Sequence, residues 1–503
     1  MARLITDYLD ETVKKFGDKT AFVDSKRAIT FKQLQIESKH IAERLIKENQ
    51  FKSPIAVFLD KSVECISSFL GIAYSGNFYT MLDTEMPMSR IEKILGTLEP
   101  LSIITDKEHY DKVKEFSRKS KILLYEDLMK ENISEEKLSK VHENIIDSDV
   151  LYVLFTSGST GIPKGVVTSH RAVIDYIDAA TQAYDLTDKE IIGNQGPLYF
   201  VISIIDVYGT IRNGSTTFII SPSLFMFPSK LLRYIKNNKI NFLYWVPSAF
   251  VVIANINPFE KVDISCVKKM IFGGEVMPIK QLNVWRKAIP NAMFVNAYGP
   301  TEITDGATYY ILNREFEEDE TLPIGIPFNN CSIILLDENN REVKEIGKEG
   351  EFCVRGNSLA YGYYKEPEKT AEVFTQNPLN KYYPEKIYHT GDLVRYNNYG
   401  EMEHIGRKDF QIKHMGHRVE LGEIEANVST IDGVDENCCV FNNEKQHIIL
   451  FYTGKIDSDE LGSRLKAKLP NYMIPNQRIK LGQMPRNLNG KIDRTKLKEK
   501  TEM

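Results

Sequence analysis

Short apolar runs alternate with amphipathic stretches along most of the 503-residue chain, and this alternation limits the folds that the chain can adopt. Strands are predicted in SPIAVFL, LSIIT, KILLY, VLYVLFT, TTFII, NFLYWV, KKMIFGG and MFVNAYG. Helices are predicted over residues 31–48, 90–98 and 230–237. Strands that alternate with helices form βα units, in which neighbouring strands run parallel. The predicted fold class is therefore α/β.

The pattern changes from about residue 320, where Gly-punctuated alternating runs replace the βα units. The runs CSIILLDENNREV, GEFCVRG and YHTGDLVRYNNYGEMEHIG predict antiparallel hairpins. A polar, Gly-flanked segment around Arg407 and Asp409 is typical of a domain boundary. We therefore predict a large N-terminal domain of parallel-sheet βα layers over residues 1–406, with a β subdomain from about residue 320 to 406. A small α+β C-terminal domain is predicted over residues 407–503.

Composition excludes several classes of protein. The chain carries 64 Lys and Arg residues against 69 Asp and Glu residues, and no basic arm stands out, which argues against nucleic-acid binding. Its longest apolar runs, such as residues 201–205 and 242–246, are far shorter than the roughly 20 residues needed to span a bilayer. The first residues, MARLITDYLDETVKKF, contain no apolar secretion segment. We therefore predict no membrane insertion and a cytoplasmic location.

The cysteines give no sign of a metal site or of disulfides. Six Cys residues are scattered along the chain without a CxxC pair, at positions 65, 266, 331, 353, 438 and 439. Zinc sites and disulfide frameworks usually show paired or regularly spaced cysteines. Reduced, structural thiols are predicted.

The run TSGSTGIPKGV at residues 156–166 follows a predicted strand and has the composition of a phosphate-binding loop. A Walker A loop requires GxxxxGK[ST], but here Pro163 stands in place of the second Gly and Gly165 in place of Ser or Thr. Gly residues, hydroxyls and one Lys can still bind a polyphosphate through backbone approach, hydrogen bonds and charge. Taken alone, the run fits a phosphate loop and a flexible polar turn equally well.

Further motifs favour the phosphate loop. TSGSTGIPKG, NAYGPTEIT (296–304), YHTGDLV (388–394), GRKDFQIKHMGHRVELGEIE (406–425) and NGKIDR (489–494) occur in the order and spacing of the adenylate-forming (ANL) superfamily. The chain resembles its acyl-CoA synthetases and luciferase-type enzymes and, most closely, the adenylation domains of nonribosomal peptide synthetases. NQGP and FGGEVMP are similar to segments of the D-alanine:carrier-protein ligases.

This resemblance implies an ATP-dependent, AMP-producing acid–thiol ligase. Such enzymes use Mg²⁺ and ATP to convert a carboxylic acid into an acyl adenylate, and then pass the acyl group to a thiol. The resemblance also implies that the C-terminal domain is mobile, with a hinge at Asp409. His414 and His417 form an HxxH, but they stand where the family has loop and tunnel residues.

The resemblance assigns the nucleotide site residue by residue. The β and γ phosphates would be bound by Thr156, Ser157, Gly158, Ser159, Thr160, Gly161 and Lys164. Thr301 would bond the α-phosphate, and Glu302 would hold Mg²⁺, a hard cation that prefers oxygen ligands. Lys491 would bridge the reacting carboxylate and the α-phosphate, and with Thr301 and Glu302 it forms the predicted catalytic set. The base and ribose would be bound by Gly274, Glu275, Asn296, Ala297, Tyr298, Gly299, Asp392 and Arg407.

The acyl pocket departs from that of the amino-acid enzymes. These carry an FDxS-like stretch whose Asp pairs with the substrate ammonium, whereas this chain has Phe200-Val201-Ile202-Ser203. A buried ammonium without a counter-charge costs several kcal/mol, so an ordinary α-amino acid is disfavoured. The pocket positions carried over from the family are Val201, Ile202, Ile205, Tyr244, Ile271, Gly273, Ala297, Asp305 and Gly306. Gly273 and Gly306 are expected to make room for a larger acid.

The predicted substrate is an aryl or comparably bulky carboxylic acid without an α-amino group, with Asp305 accepting a hydrogen bond from a ring hydroxyl or amine. Two alternatives remain open: Asp305 pairs with a β- or otherwise displaced amino group, or it faces solvent. The predicted acceptor is a separate phosphopantetheinylated carrier protein. The alternatives are an amino-acid carrier-protein ligase, an acyl-CoA synthetase and, more distantly, a non-catalytic nucleotide-binding protein.

Overall fold

A computed structural model describes residues 2–117, 119–158, 161–443, 445–486 and 492–502. The predicted site residues Ser159, Thr160 and Lys491 lie outside these described residues. The described helices are α1 (Ile5–Phe16), α2 (Phe31–Lys47), α3 (Val63–Tyr74), α4 (Met88–Leu98), α5 (Tyr110–Phe116), α6 (Tyr125–Leu128), α7 (Glu135–Asn144), α8 (His170–Ala183), α9 (Thr210–Asn213), α10 (Pro228–Asn237), α11 (Pro247–Ile256), α12 (Ile279–Ala288), α13 (Pro367–Val373), α14 (Leu421–Ser429), α15 (Ser458–Lys466) and α16 (Arg494–Glu502).

The strands confirm the predicted positions and add others, some inside the sheets and some at their edges. They are β1 (Thr20–Val23), β2 (Ala28–Thr30), β3 (Pro54–Phe58), β4 (Phe78–Leu82), β5 (Ser102–Thr105), β6 (Lys121–Leu124), β7 (Val150–Thr156), β8 (Lys164–Ser169), β9 (Ile191–Asn194), β10 (Thr216–Ile219), β11 (Phe242–Trp245), β12 (Lys269–Gly273), β13 (Met293–Tyr298), β14 (Thr308–Ile311), β15 (Ile326–Pro327), β16 (Cys331–Leu336), β17 (Glu349–Gly356), β18 (Gly362–Tyr363), β19 (Phe374–Gln376), β20 (Lys386–Tyr396), β21 (Met402–Arg407), β22 (Gln411–His414), β23 (His417–Glu420), β24 (Val434–Asn442), β25 (His447–Gly454) and β26 (Gln477–Lys480).

The chain divides into two compact units. The first contains residues 1–84, 99–154 and 166–408, and the second contains residues 85–98, 155–165 and 409–503. The second unit therefore includes α4 and the glycine-rich loop as well as the C-terminal residues. The predicted domains, the mobility of the C-terminal domain and the hinge at Asp409 stay predictions.

Two largely parallel sheets form the centre of the first unit. One has nine strands in the order β15-β14-β13-β12-β11-β9-β10-β1-β2, and the other has seven in the order β18-β8-β7-β4-β3-β5-β6. Strands β9 to β13 pair in parallel where they adjoin, while β14 and β15 add antiparallel edges. All four residues of β11 are buried, as expected for strands covered on both faces. The predicted α/β class is confirmed.

Local signals explain where the helices begin. The hydroxyl of Thr30 accepts a hydrogen bond from the Gln33 backbone N–H, and the Gln33 side-chain oxygen accepts one from the Thr30 N–H, so α2 begins with a capping box. The hydroxyl of Ser169 accepts from the Ala172 N–H at 3.2 Å and caps α8 in the same way. Each cap satisfies a backbone donor that the first helical turn leaves unpaired.

The β subdomain predicted after residue 320 is a five-stranded antiparallel sheet. Strand β17 pairs with β16 and β20, β20 also pairs with β21, and β19 adds an edge. Buried side chains from Phe352, Val354, Tyr388 and Val394 form one face of this sheet. This face fixes the strand register, because a one-residue slip would turn apolar side chains outward. The sheet thereby sets the positions of the polar residues on β20 and β21.

The second unit has its own core. Strands β22 and β23 form a hairpin, and β24, β25 and β26 form a three-stranded sheet. Apolar residues of α14 and α15, such as Ile424 and Leu461, pack with Leu450 and Tyr452 of β25. His414 and His417 are opposite one another in the hairpin, and His417 stacks on Tyr472. In the part of the chain that the structure describes, no helix is both long and apolar enough to span a membrane.

Candidate active site

Asp392 lies at the centre of a buried polar cluster. It is 3% exposed and directly opposite Arg407 in the pairing of β20 with β21. Its Oδ1 accepts from Arg407 Nη1 at 2.7 Å and lies 3.1 Å from His404 Nε2, while the Tyr298 hydroxyl donates to Oδ2. The structure thus brings together three predicted nucleotide-binding residues. His404 was not predicted, because a single His before IGR carries no motif signal.

We expect Asp392→Asn to raise the KM for ATP about tenfold or more, because a charge-assisted hydrogen bond contributes about 1.5 to 3 kcal/mol. ATP titration in a pyrophosphate-exchange assay measures the change. Asp319→Asn, on an exposed segment of the same unit, is the control and should leave the KM unchanged. An unaltered KM in Asp392→Asn would refute the ribose assignment.

The predicted adenine residues lie at the ends of β12 and β13. Asn296 is 8% exposed, and its Nδ2 donates to the Pro323 carbonyl at 2.8 Å, which fixes the orientation of the amide. Glu275 Oε2 accepts from the Ser248 N–H at 2.9 Å, at the beginning of α11. A Cβ added to Gly299 would lie 2.1 Å from the Asp305 carbonyl oxygen, so the turn after β13 requires glycine there. These contacts hold the end of β13 in one conformation.

Glu302 lies in a 3₁₀ turn, Thr301–Ile303, directly after β13. Its side chain is buried at 0% exposure, and its Oε1 accepts from the Tyr363 hydroxyl at 2.8 Å. Its backbone carbonyl accepts from the Ala360 N–H at 2.8 Å. A buried carboxylate on a fixed turn has the chemistry and the rigidity that a Mg²⁺ ligand requires. The residues present therefore fit the predicted metal role.

The glycine-rich loop and α4 lie within the second unit. The Ser157 hydroxyl donates to the Arg418 carbonyl at 2.7 Å, and the Gly158 N–H donates to Glu423 Oε2 at 3.2 Å. Glu423 also pairs with Arg90 through its other oxygen. A backbone N–H that bonds a carboxylate can bond a phosphate oxygen by the same geometry. The loop is thus able to bind an anion.

Other loop residues are placed as follows. Lys93 Nζ donates to the Gly161 carbonyl at 2.9 Å. Thr156 ends β7 at 7% exposure, and its hydroxyl has no hydrogen-bond partner among the described residues. Lys164 begins β8. The loop therefore connects the end of β7 to the beginning of β8.

The predicted acyl-pocket residues come together on adjacent strands and an irregular helix. Tyr244 on β11 pairs in register with Ile271 on β12, and Gly273 pairs with Ala297 on β13. A 3₁₀ turn, Val201–Ser203, runs into a π-helix, Ile205–Gly209, and π-helical turns are frequent at functional sites. Tyr176, Tyr184 and Phe328 belong to the same core cluster as the apolar residues of the predicted pocket. These pocket residues are Val201, Ile202, Ile205, Tyr244, Ile271 and Ala297.

Asp305 is buried in this aromatic cluster. It is 4% exposed, and its Oδ2 accepts from the Tyr176 hydroxyl at 2.6 Å. Burial raises the pKa of Asp305 to about 7, against the lowering effect of hydrogen bonds from Tyr176 and Tyr244. The alternative in which Asp305 faces solvent is therefore wrong. A carboxyl with this pKa can accept or donate a hydrogen bond near neutral pH.

The expectation that Gly273 and Gly306 make room is also wrong. A Cβ on Gly273 would lie 2.7 Å from the Ala297 carbonyl oxygen, and one on Gly306 would lie 2.8 Å from the rings of Tyr176 and Phe328. The neighbouring strand and the two aromatic rings already fill the space that a side chain would need. These glycines allow close packing of the pocket wall instead of widening it.

A buried group of two ionisable residues and an amide, Lys61, Asp206 and Asn194, was not predicted. Lys61 Nζ donates to the carbonyls of Asn194, Gln195 and Ile220 at 3.3, 3.0 and 3.4 Å. Asn194 Nδ2 donates to Asp206 Oδ2 at 2.7 Å, so Asn194 connects the two charged residues. The only sequence signal was a lone Asp in the apolar run VISIIDVYG.

Burial shifts the pKa values of both ionisable residues in this Lys–Asn–Asp group. Burial raises the pKa of Asp206 to about 8 and lowers the pKa of Lys61 to about 7. Each charge opposes the shift of the other, since opposite charges favour ionisation. Asp206 belongs to the π-helix that also carries Ile205, a predicted pocket residue. The hydrogen bond from Asn194 therefore connects this helix to the end of β9.

Comparisons with known proteins bear directly on this site. Residues 9–364 match the family model of the AMP-binding enzymes. The chain is 33% identical over 505 residues to Bacitracin synthase 1 of Bacillus licheniformis, covering 99% of this chain and 9% of that protein. It is 31% identical over 507 residues to Zwittermicin A synthase ZmaJ of Bacillus cereus, covering 98% and 94%. The chain thus spans less than a tenth of the first relative and nearly all of the second.

The fold agrees with a solved structure as well. Holo-PA1221, a nonribosomal peptide synthetase protein with adenylation and PCP domains, superposes with a TM-score of 0.85 at 21% identity, over 98% of this chain and 84% of that one. The matched model and the relatives together define the class of the chain, an AMP-binding enzyme. The chain belongs to the AMP-binding enzyme family, as its motifs predict.

Proposed function

We propose that the chain adenylates a carboxylic acid with ATP and then transfers the acyl group to the phosphopantetheine thiol of a separate carrier protein. One observation carries this proposal: strand β13 and its following turn bear residues of both predicted sites. Ala297 lies in the apolar wall, Tyr298 bonds the Asp392 cluster, and Glu302 is buried just beyond. Acid and nucleotide would therefore meet at the end of one strand.

The first half-reaction joins a carboxylate oxygen to the α-phosphorus of ATP and releases pyrophosphate. Mg²⁺ bound at Glu302 would neutralise charge on the triphosphate. Thr301 would donate to the α-phosphate, and the Asp392 and Arg407 pair would hold the ribose. The Gly158 N–H would bind the leaving phosphates in place of Glu423. Lys491 keeps its predicted role as the charge that bridges carboxylate and α-phosphate.

For the acid, we infer an aryl or comparably bulky molecule without an α-amino group. Val201 supplies no counter-charge for an ammonium at the position where the amino-acid enzymes have Asp. The wall is apolar and aromatic, and its buried carboxyl group, Asp305, can bond a ring hydroxyl or amine. The same buried carboxyl supports the second candidate, an acid with a β- or otherwise displaced amino group.

Asp305→Asn should stabilise the chain more at pH 8 than at pH 5. In the unfolded chain Asp305 ionises near its ordinary pKa of 3.8, whereas in the fold it keeps its proton up to about pH 7. Wild-type stability therefore falls as pH rises between these values, and a neutral Asn avoids this loss. We expect the advantage of the variant to grow by about 2 kcal/mol, measured as a change in melting temperature.

The matched control for this prediction is Asp319→Asn, an exposed position of the same unit. Its melting temperature should follow the wild type at both pH values. An Asp305→Asn advantage that stayed constant or shrank with pH would show that the carboxyl is not buried in its neutral form.

The carrier protein as acceptor has two supports. The stretch HRVELGEIE resembles peptide-synthetase relatives more than coenzyme A ligases. The solved neighbour PA1221 is described as containing adenylation and PCP domains. Coenzyme A is the rival acceptor. The cytoplasmic location predicted from the sequence stays a prediction.

Pyrophosphate exchange with a panel of acids tests the proposal. Benzoate and 2-hydroxybenzoate should exchange best, β-alanine distinguishes the second candidate, and hexanoate represents an alkyl substrate. A preference for D- or L-alanine would overturn the substrate proposal, and no exchange with any acid would favour a non-catalytic protein. With the best acid, a phosphopantetheinylated carrier protein and free coenzyme A are then compared as acceptors.

A further inference from the structure

Three side chains with metal-binding atoms converge on the antiparallel sheet of the first unit. Cys353 on β17 is opposite His389 on β20, and Glu351 precedes Cys353 by two residues. Cys353 Sγ lies 3.4 Å from His389 Nδ1, and Glu351 Oε2 lies 2.9 Å from the same nitrogen. All three candidate ligand atoms lie within 4.8 Å of one another. The sheet, and not a flexible loop, sets this arrangement.

These separations suit a single tetrahedral ion. Bonds of about 2.0 Å to nitrogen or oxygen and 2.3 Å to sulfur place the ligand atoms roughly 3.3 to 3.5 Å apart. The distance of 3.4 Å from His389 Nδ1 to Cys353 Sγ falls within this range, and the distance of 2.9 Å from the same nitrogen to Glu351 Oε2 lies below it. Small side-chain movements would therefore be enough to seat an ion.

A neighbouring hydroxyl orients the imidazole. Thr375 Oγ1 lies 3.0 Å from His389 Nε2 and donates to the Gln376 carbonyl at 3.4 Å, so it can accept the Nε2 proton. Without an ion, the 2.9 Å contact needs a proton on Nδ1 that donates to Glu351 Oε2; with an ion, the proton would sit on Nε2 and leave the lone pair of Nδ1 for the metal. Metal-binding histidines usually donate their second ring N–H to such a partner.

Access and ligand type narrow the choice of ion. The side chains of His389 and Glu351 are 19% and 12% exposed, whereas Cys353 is fully buried behind them. Sulfur, imidazole and carboxylate together favour a borderline-soft divalent ion over Mg²⁺ or Ca²⁺, and three protein ligands leave a fourth position for water.

We propose that Glu351, Cys353 and His389 bind a zinc-type divalent transition-metal ion, at a site separate from the nucleotide and acyl residues. Sequence spacing did not predict it, because the ligands are separated by 36 residues and contain no CxxC. On binding, the Cys353 thiol gives its proton to solvent and forms the sulfur–metal bond. The proposal does not depend on the function proposed above.

The ammonium group of Lys408 competes with a metal ion for the Glu351 carboxylate. Its Nζ lies 3.2 Å from Glu351 Oε2, and its side chain is 42% exposed, so it can turn toward solvent when a cation takes its place. Glu351 Oε1 keeps a hydrogen bond from the Gly391 N–H at 3.1 Å. Removing the Lys408 charge should therefore tighten metal binding without disturbing the carboxylate.

Titration of the 503-residue chain with Co²⁺ tests the site, because a cobalt–thiolate bond gives a near-ultraviolet charge-transfer band. We expect one Co²⁺ per chain with that band, and displacement of Co²⁺ by Zn²⁺. Cys353→Ser should abolish the band, His389→Gln should weaken binding at least tenfold, and Lys408→Met should strengthen it several-fold.

The matched control is Cys331→Ser, on the adjacent strand β16, which should keep both the band and the affinity. Circular dichroism verifies that each variant is folded, and the Lys408→Met result does not depend on losing a ligand. A band that survives Cys353→Ser, or that is absent in the wild type and in Lys408→Met, would overturn the proposal.

Discussion

Replacing Glu302 by Gln is expected to slow acid-dependent pyrophosphate exchange about 100- to 1,000-fold. Gln has nearly the same shape and can still accept from the Tyr363 hydroxyl, so the buried turn should remain folded. What is lost is the negative charge that would hold Mg²⁺ against the triphosphate. Exchange rates measured over a range of Mg²⁺ concentrations should show both the lower rate and a higher Mg²⁺ requirement.

Tyr363→Phe is the matched control, since it removes the hydrogen bond but keeps the carboxylate. Its exchange rate should fall by less than about tenfold. Equal losses in the two variants would show that Glu302 acts by supporting the turn. A Glu302→Gln rate close to that of the wild type would remove Glu302 from the metal site.

The second large effect is expected in stability. Lys61→Met leaves the buried carbonyls of Asn194, Gln195 and Ile220 without their donor, and it removes the positive charge that favours ionisation of Asp206. A buried polar group left unsatisfied costs about 1 to 3 kcal/mol, so we expect the melting temperature to fall by about 5 °C. Thermal unfolding followed by circular dichroism measures the fall.

The double variant Lys61→Met/Asp206→Asn separates charge from packing. Because Asp206, with a pKa of about 8, is already mostly protonated at pH 7, Asn should recover little of the lost melting temperature there, and recovery of half or more would show that the two residues form a charged pair in the fold. Additive losses would mean that the two residues are energetically independent. Since Asp206 shares the π-helix with Ile205, the single variants should also raise the KM for the acid, whereas a purely distant effect on stability would leave it unchanged.

The fold class and the nucleotide residues follow from local sequence. Strand β11 is a continuous apolar run, and the motifs TSGSTGIPKG and NAYGPTEIT begin in the last residues of β7 and β13, so periodicity and turn residues are enough to place them. The pairing of Asp392 with Arg407 also follows, because a short hairpin joins their strands.

Contacts between distant segments could not be predicted in the same way. Tyr176 bonds Asp305 across 129 residues, and Lys61 reaches Asn194 across 133. Such pairs depend on the order and register of strands, which a single sequence does not encode in any local pattern. The roles of Gly273 and Gly306 were misjudged for the same reason, since the atoms that fill their space belong to other segments.

The backbone of the turn after β13 limits which residues could replace Asp305, whose contact with the acid is proposed above. Thr304 and Asp305 have φ angles of 58° and 81°, a region that Asn, Asp and Gly adopt far more readily than bulky or β-branched residues. Replacing Asp305 by Val or Ile to accept a fully apolar acid would therefore strain the chain as well as change the pocket. Asn and Gly are the substitutions that position 305 should tolerate best. Directed evolution of the pocket should therefore begin with those two substitutions.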